Sequence, residues 1–213
     1  MYTLHCFGQS GNAFKVAFLL NALEVPWRAQ HVDFFTGIAR EPGWREQMNE
    51  MGEIPILDTG ERRLTQSGLI LTWLAERHGR FRGRTEEDRL DVLRWLLFDN
   101  HKFTNYFAVY RFMKSFSPTP PDANVLDFLA GRITNAFGIV DRHLATRRFI
   151  VGDEPTIADF SMCGYLFYPA EESAGLVANR YPAIDAWVAR MREVPGWADP
   201  YALMPGPRIA PRW

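Results

Sequence analysis

"LHCFGQSGNAFKVAFLL", residues 4–20, starts as an alternating apolar strand, breaks at Gly8 and Gly11, and continues as an amphipathic helix from about Ala13. The break places Ser10 and Asn12 where the strand hands over to the helix. Two readings follow. Ser10 or Asn12 caps the helix by accepting a hydrogen bond from its free amides, with the glycines supplying the turn. Alternatively, a hydroxyl and a carboxamide beside a helix N-terminus form an anion site, because unpaired amides and the helix dipole favour negative charge there.

Outward from this stretch, "WRAQHVDF" at 27–34 reads as a second strand after the breaker Pro26, which completes a βαβ unit. "EPGWREQMNEMG" predicts one short, irregular helix. "IPILD" and "RRLT" are short strands about a "TGE" turn, a hairpin. From Gln66 to His78 the apolar residues Leu69, Ile70, Trp73 and Leu74 recur at helical spacing, and Gly79 ends the helix. Residues 1–79 therefore read as a βαβ unit followed by ββα. The polar, Arg- and Gly-rich residues 80–84 read as a linker, and Thr85 followed by Glu86, Glu87 and Asp88 is a helix start. Residues 85–213 read as all-helical: one long helix over 85–116, a second over 122–146, two more at 156–172 and 182–193, and short pieces after Pro195. The fold class is α/β plus all-α.

The chain has 213 residues, and 47% of them are hydrophobic, which suits a packed globular protein and excludes disorder. A net charge of -1 gives no global field to recruit nucleic acid or an anionic membrane. No apolar run reaches the roughly 20 residues that span a bilayer, and no signal-peptide pattern opens the chain, so it reads as cytoplasmic. Cys6 and Cys163 stand apart from any ligand spacing, so neither a metal site nor a structural disulfide is expected. Cys6, in phase with Tyr2 and Leu4 on the strand, reads as a core residue.

Two further stretches are chemically specific. In "GEIPIL" a proline opens a strand, a placement suited to a cis Ile54–Pro55 bond that turns the Ile54 amide and carbonyl outward for a peptide-like ligand. In "TQSG", residues 65–68, Gln66 and Ser67 open a helix, either as a cap or as a holder of a carboxylate.

Together "SGNAFKV", "GEIPIL", "TQSG" and "GDEPTIADF" resemble, in type, order and spacing, the cytosolic glutathione S-transferase family, over nearly the whole chain. The resemblance implies a thioredoxin-like N-terminal domain that binds glutathione as co-substrate and an all-helical C-terminal domain that supplies the second-substrate pocket. It assigns Ile54 and Pro55 to the cysteinyl backbone of glutathione and Gln66 and Ser67 to its γ-glutamyl end. Ser10 aligns with the activating serine of the theta- and zeta-like classes, while Asn12 resembles the asparagine of the bacterial disulfide-reducing classes. The anion of the opening stretch is then the glutathione thiolate. "TIAD" at 156–159 resembles the family's structural capping box.

Glu53 departs from the family pattern, since many relatives carry Lys or Gln there and a carboxylate repels a glutathione carboxylate. Among the glutathione-site residues, Arg40 is therefore the cation expected for the glycyl end, with Trp44 and Gln47 as neighbours. The aromatic stripe Phe103, Tyr106, Phe107 and Tyr110 is either core or, by the resemblance, part of the pocket. Phe103, Tyr106, Tyr110 and the C-terminal Trp213, as a lid, are assigned to that pocket. The resemblance further implies a homodimer joined through the 90–113 helix, with Asp99 and Asn100 within reach of the opposite subunit's glutathione. Three functions stay open: conjugation of glutathione to a small hydrophobic electrophile, glutathione-dependent reduction of a disulfide or peroxide, and a non-catalytic interaction module.

Overall fold

The computed structural model describes residues 1–213, which divide into two units: Met1–Arg80 with Val194–Arg208, and Phe81–Glu193 with Ile209–Trp213. No helix is long and apolar enough to cross a membrane.

The first unit is built on a four-stranded sheet of order β2-β1-β3-β4. Strand β1 (Tyr2–Cys6) leads into helix α1 (Gly11–Ala22), and strand β2 (Trp27–His31) pairs parallel to β1. Two short 3₁₀ turns, Phe34–Thr36 and Ile38–Arg40, precede helix α2 (Pro42–Gln47). Strand β3 (Ile56–Asp58) pairs antiparallel with β1 and with strand β4 (Arg63–Thr65), and helix α3 (Ser67–His78) follows. Leu4, Phe14, Phe18, Leu57, Ile70 and Leu74 are all fully buried and form the core where α1 and α3 meet the sheet. Each such side chain contributes roughly 1.5–3 kcal/mol by leaving water.

Sequence reading keeps all of 85–213 in the helical domain, whereas the contacts assign residues 194–208 to the first unit. Asn21 is one of the ties: its Nδ2 donates to the Gly196 carbonyl at 3.1 Å, while its Oδ1 accepts from Trp27 Nε1.

The second unit is helical. Its first helix is not the single long one expected over 85–116. Helix α4 (Glu86–Phe98) passes through a π turn at Asp99–Phe103 into helix α5 (Thr104–Ser115). Asp99 is fully buried and accepts hydrogen bonds from Thr104 Oγ1 and Ser161 Oγ, each at 2.5 Å, so the wider turn serves a buried polar network. Helix α6 (Ala123–Leu144) buries Leu129, Ile133, Phe137, Val140 and Leu144, one helical face. The helix expected over 156–172 is much shorter: α7 (Ile157–Met162) gives way to turns through Gly164 and Pro169 and a 3₁₀ segment, Ala170–Ser173. That segment is held by a buried ion pair in which Arg111 Nε donates to Glu172 at 3.0 Å while the guanidinium stacks on Tyr168. Helix α8 (Pro182–Arg192) places Trp187 in the core, and α9 (Pro200–Leu203) lies in the segment returning to the first unit.

Candidate functional site

The strand register brings three segments to one end of the first unit's sheet. β1 ends at Cys6 and runs into the loop Phe7–Ser10. β3 is antiparallel, with Ile56 opposite His5, so Ile54 and Pro55 lie at that same end. β4 reverses again, with Thr65 opposite Ile56, so Gln66 and Ser67 emerge there too. The positive ends of the dipoles of α1 and α3 therefore open on one side of the sheet.

Ser10 is the N-cap of α1 and is 5% exposed. Its Oγ accepts from the Ala13 amide at 3.1 Å, and no protein acceptor takes the hydroxyl proton. Capping and donation to a ligand are compatible, because a hydroxyl has two lone pairs and one proton. Asn12 occupies the second position of α1, with its Oδ1 buried and unpaired.

The Ile54–Pro55 bond is cis. The β-ladder begins at Ile56, so it takes up neither the amide nor the carbonyl of Ile54. Asn49 organises the approach: its Nδ2 donates to the Glu53 carbonyl at 2.9 Å, and its Oδ1 accepts from the Met51 amide at 3.1 Å.

At the start of α3, Gln66 has φ 67° and ψ 110°, a conformation that costs a non-glycine residue on the order of 1–3 kcal/mol. No side chain caps this helix, and its first intrahelical bond runs from the Ile70 amide to the Gln66 carbonyl, leaving the amides of Ser67, Gly68 and Leu69 ahead of it. Ser67 is 6% exposed, and its hydroxyl makes no hydrogen bond. The cap reading of "TQSG" is thereby displaced: the helix end is strained at the exposed Gln66, carries the buried Ser67, and has no side-chain cap. The Gln66 Nε2 donates to Glu53 Oε2 at 2.6 Å, which holds that carboxylate beside the helix start.

Sequence reasoning missed Arg45. Its Nε donates to the Ala39 carbonyl at 3.3 Å, and a Cβ on Gly52, which has φ +68°, would stand 2.6 Å from that carbonyl oxygen and 2.8 Å from Arg45 Nε and Nη2, so the backbone here calls for glycine. The guanidinium lies against the segment that leads into Ile54. Arg40 sits exposed at the end of its 3₁₀ turn with no ion-pair partner. Cys6 is fully buried, and burial pushes its thiol up to about 12, so it supplies no thiolate.

In the helical unit three expectations change. Phe103 is 1% exposed and stacks on Phe137 at 4.4 Å, so its ring belongs to the core and not to a pocket wall. Asp99 is fully buried, and its carboxylate is taken up by two hydroxyls of its own unit; Asn100 is exposed, and its Nδ2 donates to the Leu96 carbonyl. Trp213 is anchored at the end of α5, its amide donating to Lys114 and its Nε1 to Ser117, both at 3.1 Å. Tyr106 is part-buried on α5, while Tyr110 is 8% exposed and burial raises its phenol above the ordinary value. A cavity of about 210 Å³ is lined instead by Phe107, Phe137, Tyr165, Tyr168 and Tyr181. Neither Trp213 nor Tyr106 contributes to it.

Similarity to known proteins follows the same two halves. Residues 4–85 match the glutathione S-transferase N-terminal domain, and residues 101–195 match the glutathione S-transferase C-terminal domain. Glutathione S-transferase 3 of Zea mays is 28% identical over 211 residues, covering 93% of this chain and 92% of the relative. Glutathione S-transferase GstB of Escherichia coli is 25% identical, covering 92% of this chain and 95% of its own length. Among solved structures, a possible glutathione S-transferase from Rhodopseudomonas palustris superimposes with a TM-score of 0.86 at 27% identity, covering 100% of this chain and 93% of that one. The glutathione S-transferase of Pseudomonas fluorescens gives 0.83 at 28% identity, with 94% and 98% covered. With both halves matched in order, and with a four-stranded sheet followed by a helical unit, the chain belongs to the glutathione S-transferase family.

Proposed function

We propose that this protein binds glutathione in its first unit and activates the thiolate for attack on a small hydrophobic electrophile. The observation that carries the reading is Ser10: a buried hydroxyl at a helix N-terminus whose oxygen already accepts from Ala13 and whose proton is available. A free thiol titrates near 8.5, and each unit of depression corresponds to about 1.36 kcal/mol of preference for S⁻ over SH. The Ser10 hydroxyl and the α1 amides bond the thiolate more strongly than the thiol and so supply that preference. The thiol proton leaves to solvent, the sulfur lone pair forms the S–C bond, and the electrophile's leaving group departs with its bonding pair.

Ser67 and the open amides of α3 receive the γ-glutamyl carboxylate, and Ile54 pairs with the cysteinyl backbone. Arg45, or Arg40 beside it, meets the glycyl carboxylate. On α4, Leu90, Leu93 and Leu97 are 64%, 50% and 64% exposed at helical spacing, and a second copy of the chain covers them. Light scattering at micromolar concentration is expected to give a dimer, and a monomer removes that part of the reading.

The test of the chemistry is Ser10→Ala. Ultraviolet titration of the bound thiol is expected to move to higher pH, and turnover to fall by a factor of about ten to a thousand, with glutathione affinity changed only a few-fold. If the titration stays in place for Ser10→Ala and moves for Asn12→Ala, the donor is Asn12, and reduction of disulfides becomes the better reading.

A further inference from the structure

The loop that carries Ser10 is tied to a distant part of the chain. Residues 194–208 return to the first unit, and near their end they run along the loop. The Gly8 amide donates to the Pro205 carbonyl at 2.8 Å. The Gln9 Nε2 donates to the Pro207 carbonyl at 2.7 Å, and Gln9 is only 4% exposed although it lies in a loop. The Tyr201 ring closes on the same place, since a Cβ on Gly8 would stand 3.1 Å from it. Between the two accepting carbonyls, Gly206 has φ +113°, and a Cβ there would lie 2.8 Å from His31 Nε2.

"PGP" at 205–207 suits this task. Its prolines carry no amide hydrogen and resist helix, so the segment offers the Pro205 and Pro207 carbonyls while bringing a single amide donor, that of Gly206. Glycine at the centre is the residue that tolerates the positive φ.

We infer that residues 205–207 form a strap that sets the position of the Ser10 hydroxyl, and that Gln9 is the positioning residue through which it acts. The inference rests on the proposed role of Ser10. Ser10 directly follows Gln9, and its own amide closes the turn onto the Phe7 carbonyl at 3.1 Å. Of the loop residues before the serine, Gly8 and Gln9 are held by the strap, and Phe7 is held by stacking on Phe34 at 4.7 Å. A donor that must meet a sulfur atom is sensitive to small errors, because about 1 Å of misplacement costs up to roughly 10²-fold in rate. A strap that merely fastened residues 194–208 to the unit would lower the melting temperature without moving the ionisation of bound thiol.

The experiment uses the full chain, with glutathione and an aryl halide. Gln9→Met keeps the length and bulk of the side chain and removes the donor; Gly206→Ala displaces the strap from its other side. Both are expected to raise the pH midpoint of the bound thiol and to lower kcat about tenfold, with the glutathione Kd within about threefold of wild type. Unmoved titration curves and kcat in folded variants, with or without a lower melting temperature, overturn the inference. So does a rise in Kd alone, which would make the strap a binding element. If one variant does not fold, the other carries the measurement; if neither folds, the strap is a folding element and the inference fails. Wild-type protein that takes up no glutathione in calorimetry overturns the proposed function as well, whereas normal uptake with an unmoved Gln9→Met overturns this inference alone.

Discussion

The N-termini of α7 and α3 present the same problem of four unpaired amides, and the protein treats them in opposite ways. At α7 the problem is closed locally. Asp159 accepts from the Thr156 amide and the Ile150 amide, both at 2.8 Å, and from Trp187 Nε1 at 2.9 Å, all in a fully buried capping box. At α3 no side chain caps the end, Gln66 is strained, and the buried Ser67 hydroxyl stands idle. A helix end that satisfies itself serves the scaffold, whereas the strained and open end of α3 is where the proposed carboxylate from outside the chain would bind. A second closed box, Thr85–Asp88, shows that the device also works at the surface. There the backbone hydrogen bond from Thr85 holds the Asp88 carboxyl below its ordinary value, whereas burial pushes Asp159 up to about 6.

The comparison breaks most visibly at Asp159. Asp159→Ala leaves four buried donors without that acceptor, the Thr156 hydroxyl among them, and a loss of roughly 3–5 kcal/mol of folding stability is expected in denaturant titration. Glutathione affinity, measured where the variant remains folded, is expected to stay at the wild-type value. The pH dependence has an unusual sign for a carboxyl. Because Asp159 titrates near 6 folded against an ordinary 3.8, the folded state holds the extra proton between those values. Its contribution therefore makes the protein more stable as pH falls from about 6 towards 4, by up to about 3 kcal/mol. Asp159→Asn removes that slope. A stability curve that keeps the slope in Asp159→Asn assigns it to other groups.

What could be read from sequence divides along the same line. Both capping boxes were legible, because their partners lie three residues apart and the residue types are diagnostic. The strand–loop–helix at Ser10 and the cis candidate at Pro55 were legible for the same reason. The strain at Gln66 was not, since a positive φ at glutamine has no compositional signature and is imposed by the surrounding fold. Nor was the π turn at Asp99, which depends on Ser161, 62 residues away. The cation against Gly52 and the strap on Gln9 escaped for that reason too: each is a contact between a side chain and a main-chain atom that another segment delivers. Phe103 was misplaced because an aromatic stripe has the helical period whether it faces core or pocket.

An effect of intermediate size is expected at the open helix end. Ser67→Ala removes a donor to a carboxylate, a charge-assisted bond worth roughly 1.5–3 kcal/mol, so glutathione affinity should fall by about tenfold or more. Folding stability should change by less than about 0.5 kcal/mol, because the hydroxyl caps nothing in the free protein. This is the inverse of Asp159→Ala. Calorimetry and denaturant titration on the same sample decide it, and a Ser67→Ala variant that loses stability while binding normally returns the residue to the scaffold.

The smallest effect sharpens the contrast most, because it separates strain from contact at one residue. Gln66→Gly removes the penalty of φ 67°, ψ 110° but also the bond to Glu53. That bond is exposed and contributes a few tenths of a kcal/mol to folding, whereas relief of a backbone conformation foreign to L-residues contributes about 1 kcal/mol or more; glycine gives some of this back through the greater freedom of its unfolded chain. The free protein should therefore become more stable, by about 0.5–1 kcal/mol, while its affinity for glutathione falls because Glu53 and the amides of α3 are no longer held in register. Denaturant titration with and without saturating glutathione reads both signs at once: a midpoint raised without ligand and a smaller ligand-induced shift. A midpoint that falls without ligand would mean that the Gln66 side chain stabilises the helix end after all, and α3 would then differ from α7 in the identity of its cap and not in having been left open.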